Sequence, residues 1–388
     1  REEDTSMERK TNDGLWGVLI VQTPALAVIY YGILLRNIKK IWLGLKKEQV
    51  TLRAMLLLTT IGLLSALISV NPGKSLPSVL VWPLFLLIFA LGRWGITDPK
   101  AFIKGLVYGA GILSLVVLGA KFFKLDIWWG KIPILTNFKY SYSRGNVLGM
   151  ADNGLAAMIE VGVLGGLSLF LVTSKKRERL LFLGIALITV LAIFNTFSRG
   201  SMVGITGASL ILFVLANKYW RKYWRSLLAF FLIIALTIGL WPSLRNRIIS
   251  IFDVKDNSSN TARFTIWKVS LRMFKNHWLI GQGPGLYGSL FESYLKEGEL
   301  THIYRSPHSF YLYVLTGWGI LGFLTFFSWL FYELFYPLFK DYNIWRVIPL
   351  VMVLSFFIHV IFEDLFIFHV PLLIGLVGRE DFKSSLES

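Results

Sequence analysis

The sequence predicts an all-α, polytopic transmembrane helical bundle of about eleven to twelve spans with one large extracytoplasmic loop. Hydrophobic residues make up 55% of the 388 and charged residues only 16%, against about a quarter charged in an ordinary soluble domain. The apolar residues also come in runs of roughly 17–25, the length needed to cross a hydrocarbon core. Residues 52–70, 180–197 and 347–361 hold almost no charge. The basic residues, finally, cluster in alternate connections between these runs.

Taken in order, the expected spans are 15–35, 52–70, 76–91, 102–122, 149–172, 180–197, 202–216, 227–241, 309–336, 347–361 and 366–377. Residues 1–14 are acidic and polar and lack the basic start and small-residue cleavage site of a signal peptide, so the first apolar run is read as a retained helix. Segment 36–53 carries six basic residues, and 175–179 and 218–225 carry four each. All three fall on one side and should be cytoplasmic. The intervening connections 71–75 and 198–201 hold only Lys74 and Arg199. The C-terminus is then inside and the N-terminus outside, an odd count that leaves room for a further N-terminal helix.

The net charge of +17 would suggest nucleic acid for a soluble protein, but Lys and Arg in cytoplasmic loops account for it here, and no nucleic-acid partner is expected. The absence of cysteine excludes a disulfide framework, a thiolate nucleophile and a Cys-based metal site. Three divisions follow: spans one to eight in residues 1–241, the loop in 242–308, and the last spans with a tail in 309–388. Segment 124–148 is aromatic and basic, with Trp128, Trp129, Tyr140 and Tyr142, and belongs at the interface. In the larger loop Phe264, Trp267, Leu271, Phe274 and Trp278 recur at spacings of 3, 4, 3 and 4, with Lys268, Arg272 and Lys275 opposite. That pattern predicts a basic amphipathic helix lying on a membrane surface or over the bundle. Gly281, Gly283, Pro284 and Gly285 end it in a tight turn.

Arg199, in Ser198-Arg199-Gly200, lies where the positive-inside rule does not explain a cation. It either snorkels to lipid phosphates or, beside Ser198 and the amides opening the next helix, forms an anion site. Arg263 opens the amphipathic helix, where Asn260 or Thr261 can cap it; alone it reads as a solvated cation. His308 follows Pro307 near the first turn of the next helix, and a helix N-terminus favours the neutral, proton-accepting imidazole. His359 and Glu363, four apart on one expected helix face, have spacing suited to a metal. With Asp364 and His369 they otherwise line a polar cavity or hydrogen-bond within the bundle.

His308, Ser309, nine residues, Gly319, two residues and Gly322 resemble the signature of the O-antigen ligase family. Arg263 through Trp267, followed by Gly281, Gly283 and Gly285, resembles that family's Arg-x-x-x-Trp and Gly-x-Gly loop, and Ser198-Arg199-Gly200 its Ser-Arg-Gly motif. A weaker echo joins Arg144 to residues 149–156, where this chain has Ala151-Asp152-Asn153 in place of the relatives' Asn-Pro-Asn. The resemblance covers roughly residues 144–322. It implies a GT-C-type, metal-independent glycosyltransferase in the bacterial inner membrane, with its site on the periplasmic face and no cofactor. The implied donor is an undecaprenyl-diphosphate glycan. Arg199 and Arg263 would hold the diphosphate, aided by Arg144, Arg305 and Trp267, and His308 would be general base on the acceptor hydroxyl. The ligases pass the glycan to a lipid A core sugar. Polymerases and protein O-oligosaccharyltransferases share the motifs and differ in taking a second lipid-linked glycan or a protein hydroxyl. A lipid-linked glycan transporter is the alternative class, and it would place functional charges at the midplane.

Overall fold

The computed structural model describes residues 27–123, 127–129, 132–135, 152–253, 258–299, 303–367 and 369–382. It opens with α1 (Ala27–Lys47) and α2 (Gln49–Leu67), separated only by Glu48. The expected basic loop 36–53 is therefore mostly helix. Lys, Arg and Leu are good helix formers, and the long cationic side chains can reach water from a helix end. Then come α3 (Pro72–Val79) and α4 (Val81–Ala90), the latter running into a π-turn at Leu91–Gly95. Asn71 caps α3 by accepting from the Lys74 amide, and Asp98 caps α5 (Pro99–Phe122) by accepting from the Ala101 amide. Each cap is followed by proline at the first helical position, whose missing N–H had no partner to lose.

A small antiparallel hairpin, Ile127–Trp129 with Ile132–Leu135, precedes α6 (Asp152–Val172), α7 (Lys176–Thr196), α8 (Arg199–Leu215) and α9 (Trp224–Leu240). The loop region holds α10 (Pro242–Phe252) and α11 (Ser258–Asn276). The chain closes with α12 (Phe310–Lys340), α13 (Ile344–His359) and α14 (His369–Val377). Seven of the described helical segments are long and apolar enough to cross a membrane; α8 and α13 are apolar but shorter. The expected span 15–35 lies mostly outside the described residues. The expected span 366–377 is corrected: only nine residues are helical, about 14 Å of rise, too little to cross alone.

Helix α6 is the central pillar, buried along nearly its whole length. An all-round apolar helix can be placed only there, and its glycines let neighbours close in. A Cβ on Gly165 would lie 2.2 Å from Met352 Cε of α13, and one on Gly166 would lie 2.8 Å from the Phe182 carbonyl oxygen of α7. The turn before α7 and the turn before α9 meet at one end, where Arg179 donates to the Tyr223 hydroxyl (2.8 Å) and Lys104 pairs with Glu178 (2.7 Å). These are the two basic connections placed on a common side from sequence. The starts of α6, α8 and α12 and the end of α13 meet at the other end.

Helix α11 forms as expected but packs on a different face. Ile266, Val269, Ser270 and Met273 are buried, with the three apolar ones joining Tyr287 and Phe291 in a small separate core. Phe264, Leu271 and Trp278 instead stand exposed, as do Leu321 and Leu324 on α12. The chain after α11 then enters a break in α12. Gly319 has φ 65° and ψ −168°, a region open essentially to glycine alone. Across this break the Ile320 amide donates to the Trp278 carbonyl (2.8 Å), the Leu321 amide to that of Leu279 (3.2 Å), and the Gln282 amide to that of Thr316 (2.9 Å). A Cβ on Gly319 would sit 2.5 Å from the Ile280 nitrogen, and one on Gly281 2.4 Å from the Gly317 carbonyl carbon. These glycines exist because two backbones touch.

Candidate active site

His308 lies just outside α12 rather than in its first turn. Ser309 is the extended N-cap residue, and His308 has φ 46°. The Phe310 amide donates to the carbonyls of Val360 (2.9 Å) and Glu363 (3.0 Å), tying the start of α12 to the chain leaving α13. Phe197, next to Ser198 and Arg199, is the other non-glycine residue at positive φ among the described residues. Such conformations carry strain of order 1–3 kcal/mol and persist where the surroundings over-determine them. Both flank the polar convergence.

Glu363 sits at its centre. Its Oε2 lies 3.4 Å from His308 Nδ1, while Oε1 accepts from Arg263 (2.5 Å) and from Asn153 Nδ2 (2.7 Å). Asp364 accepts from the Ser306 hydroxyl (3.0 Å). Burial pushes the Asp364 carboxyl above its usual range, and the Ser306 hydrogen bond and nearby His308 pull it partly back. His308, Glu363 and Asp364 each offer a ligand atom within 4.8 Å of the others, the grouping that could hold a cation. Arg263 already occupies one of those carboxylates.

Arg199 donates to the Ser250 carbonyl (3.1 Å) and to the Ser259 hydroxyl (3.2 Å). Ser259 lies four residues before Arg263 on α11, so both guanidinium groups are anchored within about one helical turn. Behind Arg199 is a buried chain. Ser198 Oγ lies 3.4 Å from His359 Nε2, and His359 Nδ1 lies 2.5 Å from Glu160 Oε1, whose other oxygen accepts from Ser355 (2.8 Å). With Nδ1–H donating to the carboxylate, Nε2 is left to accept from Ser198. A Cβ on Gly200 would lie 2.5 Å from the His359 ring, so this chain braces the Ser-Arg-Gly turn.

The pairing of His359 with Glu363 expected from their spacing is corrected. Helix α13 ends at His359, so residue 363 no longer shares its face. His359 turns inward to Glu160 and Glu363 outward to His308. His369 is buried at the start of α14. Trp267 is half-buried and stacks on Phe362, with centroids 6.3 Å apart, beside Glu363. Arg305 is exposed, three residues before His308. Arg144 lies outside the described residues. Asn153 and Glu160 are additions as site residues, and an acid well inside the apolar run 149–172, eight residues past Asp152, was the available signal for Glu160.

Fold and site together define a polytopic helical membrane protein whose cationic and imidazole groups converge at one end of the bundle. Residues 184–327, a little over a third of the chain, match the family model described as O-antigen ligase. Arg199, Arg263, Arg305 and His308 all fall inside the match. The family implies a membrane glycosyltransferase-type enzyme of the O-antigen ligase or polymerase kind. No curated protein sequence matches the chain.

Proposed function

We propose that this chain transfers a glycan from an undecaprenyl-diphosphate carrier to an extracytoplasmic acceptor such as a lipid A core sugar. The observation that supports it most is Glu363, which holds the His308 ring with one oxygen and Arg263 with the other. One carboxylate thereby sets a base and a phosphate-binding cation in register. With Nδ1–H turned to Glu363, the His308 Nε2 lone pair accepts the proton of the acceptor hydroxyl. The hydroxyl oxygen bonds to the anomeric carbon as the bond from that carbon to the diphosphate oxygen breaks. Negative charge gathers on the departing diphosphate, where Arg263 and Arg199 stabilise it by roughly 3–4 kcal/mol, by analogy with an oxyanion-hole donor. A second lipid-linked glycan or a protein hydroxyl would enter the same chemistry as acceptor.

The test separates binding from turnover in folded, detergent-purified protein. His308→Ala should leave donor affinity within a few-fold while turnover falls by about 10²–10⁴, the contribution of a general base. Arg263→Ala and Arg199→Ala should weaken donor binding as well as turnover. Lys at either position should restore only part, because it lacks the planar fork that grips two phosphate oxygens. Near-normal turnover for His308→Ala would remove the base assignment. Unchanged donor affinity in both Arg variants would remove the diphosphate clamp.

A further inference from the structure

A cavity of about 430 Å³ opens between the C-terminal end of α2 and the chain that follows α11. It lies at the His308 end of the bundle, since Ser65 of α2 donates to the Gly317 carbonyl (2.9 Å) and Ser75 to that of Pro284 (2.8 Å). Its size is that of a small-molecule site. Its polar wall consists of Ser69, Asn276, His277, Gln282, Ser293 and Tyr294, its apolar part of Ile68, Val70 and Leu290, and among the described residues no Asp, Glu, Lys or Arg lines it. These groups are fixed. Gln282 is buried and donates its amide hydrogens to the Met273 carbonyl (2.5 Å) and the Tyr294 hydroxyl (3.1 Å). Its carboxamide oxygen remains as an acceptor. The Tyr294 hydroxyl also accepts from Asn276 (3.4 Å), which leaves its own proton to donate, and Arg272 pins the Tyr294 carbonyl (2.8 Å). Such a wall suits a ligand of many neutral hydroxyls. A phosphate would meet no permanent cation among these residues, only the His277 imidazole, and a lipid tail would leave the amides unpaired.

The cavity also has a definite place along the site. Arg263 and Asn276 are thirteen residues apart on one helix, about 20 Å by helical rise. We propose that this cavity binds a distal stretch of neutral sugar residues whose reacting end lies at His308. The proposal rests on the glycosyltransferase reading. The sugars belong either to the donor glycan beyond its diphosphate-linked residue or to the acceptor chain.

The chain has no cysteine, so Ser293→Cys gives a single reporter on the cavity wall. Its modification by a thiol reagent should slow several-fold when glycan released by mild acid from the source organism's own lipid carrier is added. That glycan carries neither lipid nor diphosphate. Undecaprenyl diphosphate alone should not protect. In the second arm Ser293→Trp fills the cavity. KM should rise several-fold for a multi-repeat donor or acceptor, with the single-repeat form little changed, and the partner that responds is the source of the bound sugars. Protection by the bare carrier and not by free glycan overturns the proposal, as does an equal KM change for long and short forms. An active enzyme showing either result loses only this subsite. A wild-type chain that transfers nothing loses the enzymatic reading itself, and glycan protection at position 293 still reports on the cavity.

Discussion

Glu363 is one carboxylate with three partners: His308, Arg263 and Asn153. Glu363→Gln keeps the shape and removes the charge, so the amide can no longer hold the ring and the guanidinium together. Turnover should fall by at least about tenfold and at most by the ~10²–10⁴ that a general base supplies; an unaltered rate would separate Glu363 from the chemistry. The same residue decides a second expectation. With Arg263 supplying the charge near the diphosphate, activity should survive EDTA. If chelation abolished it and one metal restored it, His308, Glu363 and Asp364 would become a cation site. His308, Arg199 and Arg263 were readable in the sequence because each sits in a short motif of fixed spacing. Glu363 was seen, with hydrogen bonding within the bundle as one reading, but the face it was given in common with His359 does not exist, because helical spacing was extended past the point where α13 stops. Asn153 carried only the weak signal of the Ala151-Asp152-Asn153 echo, and an amide at the start of an apolar run also fits any helix cap.

At the scale of elements, α11 shows why periodicity can find a helix without telling which of its apolar stripes meets protein. Two apolar stripes run along it, Phe264 with Leu271 and Trp278 on one side and Ile266 with Val269 and Met273 on another. Spacing alone picks out the larger aromatic stripe and leaves open whether membrane or bundle covers it. In a membrane protein the bilayer can cover it instead, leaving the smaller side chains to the protein. The break in α12 was half legible. Gly319 stood out as part of a motif, but nothing in the order of residues showed that residues 278–282 fill the gap. Gly319→Ala tests that contact directly. Its φ of 65° and its 2.5 Å approach to the Ile280 backbone should cost at least about 1–3 kcal/mol in backbone strain alone. Thermal unfolding of the detergent-solubilised variant should therefore come several degrees lower. Gly119→Ala on α5, which would meet nothing within 4 Å, is the control. Equal stability of the two variants would contradict the close contact.

Across the whole molecule, the two ends differ in kind. One gathers the basic turns around Lys175 and Lys218, and the other gathers His308, Glu363 and the arginines. The class of fold and the segregation of charge were legible because bilayer thickness and loop charge leave strong marks on composition. The inward packing of α6 and the short α14 were not, because they depend on which apolar surfaces meet. Sidedness is tested with exposed positions at opposite ends. Glu297→Cys should react with an impermeant thiol reagent in intact cells, and Lys218→Cys only after lysis; the reverse pattern would invert the orientation. The seam at Gly319 has a kinetic consequence. Pulling residues 278–282 away would strip partners from the Ile320 and Leu321 amides inside a span, where water cannot replace them and each bare group costs several kcal/mol. That stretch therefore behaves as a wall and not as a door. The lipid-linked donor proposed above would then arrive sideways, through the leaflet, so the concentration expected to govern the rate is the carrier's mole fraction in the bilayer, and diluting the vesicles in buffer should leave it unchanged.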